Sequence, residues 1–342
     1  MLNKNILSMD IGTKNIKLVE CREKNQNINI EKAIITETPE GSIKNGRIIS
    51  LDSLREALKE TLRKEKIKAQ KTVITIQSKS IISRELEIPF TKNKEEMNSI
   101  VKYELKEYIP IDIEDYVLQY KILEKKERKA KVIVIALLKT IVEDYLDLIK
   151  KLRLKPIALD INTNSLIKLL NNSPEDITTE KTVAFVDLGY SNIHVTIISN
   201  GKYMFDRLIE LGSKDMDKNI CDYLGLPIKK AEKMKLNIKN INDDSDDFEE
   251  QNSINMIRSA LDIWVSEIER VLKYYTSRKR ENNIDAIYIY GGASNLNGID
   301  IYFKESFNIN TFILDDISRV EKKDKDLNIA SYINSLGAVI RK

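Results

Sequence analysis

The sequence is poor in the residues that organise small cross-linked or metal-bound folds. Two cysteines and one histidine occur in 342 residues, and neither Cys21 nor Cys221 stands in a metal-ligand spacing. A disulfide framework and a Cys/His zinc site are therefore excluded as organising devices. An excess of one charge is also missing. The chain carries 56 Lys and Arg against 53 Asp and Glu, a net +3, with the two signs interspersed, so the basic stripe of a nucleic-acid partner is absent. No apolar run approaches the roughly 18 residues that cross a bilayer. The opening MLNKNILSMDIG turns polar too soon for a secretory signal, and the closing INSLGAVIRK offers no separate amphipathic tail. The expectation is a cytoplasmic chain with no direct membrane insertion. Six prolines and 11 glycines point to a compact mixed fold, long enough for two lobes with a core in each.

What the sequence does contain is a duplication. DIGTKNIKLV at residues 10–19 returns as DLGYSNIHVT at 187–196, with Asp, Gly, Asn and Ile at matching positions. Each copy follows an apolar run, NILSM or TVAFV, and leads into an alternating segment, NIKLVE or NIHVTI. The pattern is strand, tight turn, strand. Glycine in the bend lets a ligand approach the backbone, so the turn amides can face an anion, while the Asp at the strand end can hold its cation. Two such hairpins suggest two related halves facing one another across a phosphate.

Along the first half, strands are predicted at ILSMDIG, NIKLVEC, NINIEKAIIT and TVITIQ, with a helix near Leu51 to Lys64. Residues 81–154 read as an inserted β-α-β-β-α unit. Its first strand ends at Pro89, and its first helix carries Met97, Ile100, Val101, Leu105 and Tyr108 on one face until Pro110. Strands VLQYKILEK and KVIVIALLK follow, and a second helix presents Val142, Tyr145, Leu146, Ile149 and Leu152. PIALDI and the helix over 162–170 return the chain to the first lobe, assigned to residues 1–80, 155–180 and 335–342. NSPEDITTEK is the crossing to a second lobe over 181–334. There the hairpin and third strand precede helices from Asp215 and from Pro227. The acidic tract at 242–252 lacks the ordered spacing and glycine of a calcium loop and reads as solvated. A long helix then buries Ile254, Ile257, Leu261, Trp264, Val265, Ile268, Leu272 and Tyr275 as ordinary core. Finally AIYIYGGASNLNG gives a strand, a double glycine at Gly291 and Gly292, and a helix starting near Ser294 or Gly298. That turn removes side chains where a base or sugar would lie, and the helix start points amides at it.

These three segments in this order resemble the actin-like ATPase superfamily, which includes actin, chaperone ATPase domains, sugar kinases and FtsA. The resemblance spans the whole chain. It implies an α/β fold, the two-lobed actin-like (ribonuclease H-like) architecture, with Mg²⁺ and ATP or ADP between the lobes. Asp10, Gly12 and Thr13 match the first phosphate loop, Asp187, Gly189 and Ser191 the second, and Gly291, Gly292, Ala293 and Ser294 the adenosine motif. Glu232 and Lys235, in AEKMK, fall where relatives contact ribose and base. Asp10 and Asp187 would hold the hydrated metal. Lys17 either adds a point charge to the phosphates or faces solvent from the outgoing strand. Asp160 falls on the first connecting segment, where it either orients the attacking water as the catalytic residue or caps the helix at 162–170. Gly337 and Ala338 match the second connecting segment, and His194 is assigned a structural role.

Within the superfamily the insert resembles the 1C subdomain of FtsA and PilM. Three segments are similar to the PilM family of type IV pilus assembly: Ser83 to Pro89, the Glu104, Tyr108, Ile109 and Pro110 signature, and Lys155 to Ile161. The resemblance implies a PilN-like bitopic membrane protein as partner, its N-terminal peptide taken by the insert, and a place at the inner face of the membrane through that partner. A pilus motor ATPase and self-association are further partners in view. An FtsA-like filament and a small-molecule kinase are the competing readings, the kinase lacking a recognisable acceptor base. Two departures stand out. Tyr190 occupies a position where relatives are small, and Leu211, Gly212 and Ser213 replace a double glycine. Both bear on turnover more than on binding, because phosphoryl transfer depends on positioning.

Overall fold

A computed structural model describes residues 5–24, 27–109, 112–171, 177–278 and 282–341. The chain starts as an antiparallel meander of β1 (Ile6–Ile11), β2 (Asn15–Lys24) and β3 (Asn27–Glu37). A short ladder follows, β4 (Ile43–Lys44) and β5 (Arg47–Ile48). It turns through Asn45 and Gly46, both at positive φ, as a tight two-residue hairpin loop requires. Helix α1 (Leu51–Lys64) buries Leu54 and Leu58, and β6 (Lys71–Ile76) pairs parallel to β1.

The inserted unit begins at β7 (Ile82–Pro89) and continues through α2 (Lys94–Tyr108), β8 (Tyr116–Lys125) and β9 (Lys129–Leu138). The strands form a separate antiparallel sheet in the order β7-β9-β8. Asn93 caps α2 by accepting from the amides of Glu95 and Glu96. Met97, Val101 and Leu105 of α2 pack with Leu86, Ile88, Val132 and Val134 in a core of their own. Pro110 and the Tyr108 side chain lie outside the described residues. Helix α3 (Lys139–Lys151), expected to complete the insert, belongs elsewhere: Ile141, Tyr145, Leu148 and Ile149 join the core of the first sheet with Leu7, Met9, Leu54 and Ile74. Leu146, expected on the apolar face, is instead exposed. The insert's own core thus reaches only to Ala136 of β9 rather than to residue 154, because Leu137, Leu138 and the apolar face of α3 pack on the lobe.

Strand β10 (Lys155–Ile161) pairs parallel to β6, and α4 (Asn162–Leu170) follows. Of the crossing segment, residues 172–176 lie outside the described residues. The second lobe repeats the plan with β11 (Thr182–Leu188), β12 (Ile193–Ser199) and β13 (Lys202–Ile209), then α5 (Ser213–Leu224), α6 (Ile228–Asn237) and α7 (Phe248–Ser277). Asp247, from the acidic tract, caps α7 at the Glu250 amide, and Asp244 pairs with Arg258 at 2.9 Å. Strand β14 (Ala286–Tyr290) lies parallel to β11, α8 (Ile299–Phe307) starts after Gly298, and β15 (Thr311–Ile313) forms the edge. The sheet order β15-β14-β11-β12-β13 repeats the first sheet's β10-β6-β1-β2-β3, so the duplication extends from the hairpins to both sheets.

The chain then returns earlier than expected. Strand β16 (Val320–Lys322) pairs with Ile28 to Ile30 of β3 and extends the first sheet, which takes residues 320–322 out of the second lobe. Helix α9 (Ile333–Val339) lies against α4, and both pack in one core with Val19 of the first sheet and Val183, Phe185 and Tyr290 of the second. Their approach is close: a Cβ at Gly337 would sit 1.9 Å from the Ser165 carbonyl oxygen. Gly337→Ala should force the helices apart and lower stability by about 3 kcal/mol, read from the urea midpoint. An unchanged midpoint would show that the crossing yields without cost.

Candidate functional site

Both hairpin bends are built the same way. The Gly12 amide donates to the Asn15 carbonyl at 3.1 Å, and the Gly189 amide to the Asn192 carbonyl at 3.0 Å. A Cβ at either glycine would press on that same oxygen, at 2.9 and 2.7 Å, so the repeated glycines are required by the bend itself. Each Asp lies one residue before the end of its strand, opposite Lys17 in the first copy and His194 in the second. The ammonium of Lys17 lies 3.4 Å from Asp10 and both line the cleft, which resolves the orientation of Lys17 inward. Asp187 accepts from Asn334 Nδ2 at 2.8 Å. The other amide atom, Asn334 Oδ1, is buried and has no partner among the described residues. Burial pushes the Asp187 carboxyl above its usual range, and Asp10 adds to this against the opposing effects of Asn334, Lys17 and His194.

The third segment closes the site from the second lobe. Gly291 holds φ at +92°, and a Cβ there would meet Asp187 Oδ1 at 2.3 Å. Its amide donates to the Ala330 carbonyl. Gly292 differs, since a Cβ there would meet nothing within 4 Å, and the space in front of its backbone is available to a flat ligand. Ser294 is fully buried and donates its hydroxyl to the Gly291 carbonyl at 2.8 Å. It braces the turn rather than lining the cleft, a correction to its assignment as a ligand contact.

Together the segments enclose a cleft of about 290 Å³. Asp10, Gly12, Thr13 and Lys17 face Asp187, Gly189 and Ser191 across it, with Glu232, Lys235, Gly291, Gly292 and Ala293 on the second-lobe wall. Lys14, Asn162, Tyr190, His194 and Asn334 also line it. Lys14 bridges the lobes to Glu232 at 2.8 Å with its ammonium 5.6 Å over the Tyr190 ring. Burial lowers the Lys14 ammonium, and the bond to Glu232 more than offsets this, leaving it above its usual range. Lys235 is held by Asp217 at 2.5 Å. Burial raises the Asp217 carboxyl against the pull of that lysine. The single Gly212 fits beneath the second loop, where a Cβ would meet the Tyr190 carbonyl at 2.3 Å. The first amides of α5 are spent on Gly189 and Tyr190 carbonyls.

Asp160 does not line the cleft. Its carboxylate pairs with Lys168 at 2.5 Å and Arg341 at 3.8 Å, and accepts from the Ile161 amide and the Asn164 side chain. Neither alternative describes it: α4 has Ile161 at its N-cap and no side-chain cap, and Asp160 is an ion-paired strand-end carboxylate, so the catalytic assignment is corrected. Asn162, two residues on, lines the cleft and accepts from Thr75 at 2.9 Å.

The donors present suit a hard, hydrated cation. Asp10, Asp187 and the unpartnered Asn334 oxygen are all oxygen donors, of the kind magnesium takes. Among the described residues no three Asp, Glu, His or Cys cluster as a metal site, so a cation here would complete its shell with waters and ligand oxygens.

The paired sheets and the cleft between them define a protein of the actin-like ATPase fold. MreB5 of Spiroplasma citri bound to AMPPNP shares it at TM-score 0.57 and 12% identity, covering 98% of this chain and 96% of that one. The ethanolamine utilization protein EutJ from Carboxydothermus hydrogenoformans shares it at 0.60 and 12% identity, covering 99% and 90%. The PilM-PilN type IV pilus biogenesis complex contains a chain that matches at 0.83 and 21% identity, covering 98% of both. The family described as type IV pilus assembly protein PilM matches residues 8–339, and the chain belongs to it. Among the described residues no helix is long and apolar enough to cross a membrane.

The raised Asp187 carboxyl makes a prediction about pH. In the fold it keeps a proton that the unfolded chain releases near the ordinary carboxylate pKa. The associated stability is fully present below that ordinary value and is lost as pH rises through the raised one. Asp187→Asn should therefore raise the melting temperature of the nucleotide-free protein at pH 7 by about 2–4 °C and flatten its acid-side profile. Melts across the pH range would show the opposite if Asp187 were stabilising when ionised.

Proposed function

We propose that this protein is a cytoplasmic ATP-binding component of type IV pilus assembly that links nucleotide state to a membrane partner. The convergence of two Asp-Gly lips and a double-glycine turn on one interlobe cleft carries the reading. With the Gly12 and Gly189 amides spent on closing their bends, the amides of Thr13 and Ser191 beside them take the phosphate oxygens, and Lys17 adds positive charge there. The base and ribose lie against Gly292 and Ala293, with Glu232 and Lys235 beside them on the second-lobe wall. Asp10 and Asp187 are the residues that would hold a hydrated magnesium ion, which when bound would neutralise charge on the phosphates. Asn334 fixes the Asp187 carboxylate from the first-lobe side and offers its free oxygen to the same hydration shell.

The inserted unit, read as a 1C-like subdomain, takes the N-terminal cytoplasmic peptide of a PilN-like bitopic membrane protein. That partner brings the chain to the inner face of the membrane. The fold likeness to the PilM-PilN complex supports this assignment. Nucleotide entry replaces the Lys14 to Glu232 bridge with contacts of its own, and the lobes close around it. Because linkage is reciprocal, the peptide and the nucleotide change one another's affinity.

Calorimetric titration with magnesium and AMPPNP tests the site. Asp187→Ala should weaken binding by at least about 100-fold with the fold intact by circular dichroism, and retained binding would overturn the assignment. A second titration, with the peptide present, should shift the nucleotide affinity by about fivefold or more. Equal affinities would remove the coupling.

A further inference from the structure

Among the described residues three lysines line the cleft, Lys14, Lys17 and Lys235, and each stands beside a carboxylate. Lys17 is held by Asp10 of its own hairpin and Lys235 by Asp217 of its own lobe. Those two carboxylates are buried, with side chains only 8% and 1% exposed, so drawing either lysine away would leave a buried charge alone. Lys14 differs on both counts. Its partner Glu232 lies across the cleft on α6 of the other lobe, and the two side chains are 29% and 27% exposed. A bond so open to solvent contributes little and breaks readily. Released from Glu232, the ammonium still has a seat, because it already lies 5.6 Å over the ring of Tyr190 at the tip of the second bend. Thr13 and Ser191, whose amides are assigned to phosphate, adjoin Lys14 and Tyr190 in the two bends. One flexible cation thus stands where both bends and the second-lobe wall meet.

We propose that Lys14 is a specificity-determining residue, handed from Glu232 to a ligand phosphate, through which the cleft takes phosphorylated nucleotides in preference to bare nucleosides. The inference rests on the nucleotide reading above and names what that site selects. In the structure Lys14 and Glu232 satisfy one another across the opening. A nucleotide supplies both with a replacement: its phosphate oxygens accept from the ammonium, and its ribose hydroxyls donate to the Glu232 carboxylate. Phosphate is the stronger partner, since several charged oxygens gather at the bends in place of one carboxylate. A nucleoside replaces only one side of the pair. It reaches Glu232 only by stranding the Lys14 ammonium, and so binds against the bridge. Tyr190 keeps the freed ammonium at the phosphate end, because its ring face favours a cation. That gives a role to the bulky residue standing in the second bend. Lys17, tied to Asp10 within one hairpin, makes no such exchange.

Calorimetric titration of the full chain with magnesium and AMPPNP, and competition of adenosine against AMPPNP, read the two affinities. Lys14→Met should weaken AMPPNP by about tenfold, yet tighten adenosine by about twofold to fivefold, because the bridge no longer opposes it. Lys14→Arg, which keeps the charge, should hold AMPPNP within about threefold of the wild-type value. Glu232→Gln should move the selectivity the other way. Adenosine weakens, while AMPPNP meets a lysine with no competing carboxylate and weakens less, so the preference for AMPPNP widens by about threefold. Melting curves identify a variant that fails to fold, and the others then carry the test. The hand-over is overturned if Lys14→Met weakens both ligands, tightens both or leaves adenosine unimproved, or if Lys14→Arg loses as much as Lys14→Met. It is overturned equally if Glu232→Gln leaves the preference unchanged or narrows it. A wild-type protein that does not bind AMPPNP would overturn the nucleotide reading itself, a result distinct from any pattern among the variants.

Discussion

The two halves are held at their working distance by the crossing of α4 and α9. With Gly337 against the Ser165 carbonyl, the helices meet backbone to backbone, closer than any side chain would permit. Leu166 and Leu169 from one helix and Ile333 and Leu336 from the other share a core with Phe185 and Tyr290 of the second sheet. The opposing carboxylates inherit their spacing from this contact. Ser335 on α9 reaches the Lys17 carbonyl at 3.3 Å, and Asn334 beside it grips Asp187. One short helix thereby touches both hairpins.

The cleft that results is internally paired rather than bare. Asp10 faces Lys17, Glu232 is taken by Lys14, and Lys235 by Asp217. A ligand entering such a site would exchange protein ion pairs for its own and gain mainly where, among the described residues, a partner is absent, at the Asn334 oxygen, at His194 Nδ1 and along the open backbone of Gly292. Asp160 is not among the polar groups of the cleft. Asn162 and His194 are among the polar side chains that line it.

Much of this was legible in the chain because the signals are local. Gly12 and Gly189 each close a bond to an Asn three residues on, so the bend announces itself in a short window. The stripe of α7 likewise follows from helical spacing alone. The remainder depends on partners far away in sequence. Asp160 looked catalytic until Lys168 and Arg341 converged on it. Lys14 became part of the site only through Glu232. Nothing in the spacing of Ile141 and Leu148 reveals that α3 abandons the insert for the lobe, since periodicity specifies an apolar face but not what covers it. Ser294 was misread for a related reason: its position in the motif was right, and its hydroxyl points back into the turn.

Strand β16 carries a consequence for biogenesis. Its pairing with Ile28 to Ile30 joins residues from opposite ends of the chain, and α9 joins later still. During synthesis the first sheet emerges early but waits for β16 at its β3 edge and for its closing helix until residues 320–339 have been made. Contacts so distant in sequence form slowly, and an open strand edge invites association with other chains. The second lobe, bounded by its own core, can complete itself in that interval. The lobe built from the earlier residues is therefore finished after the later one.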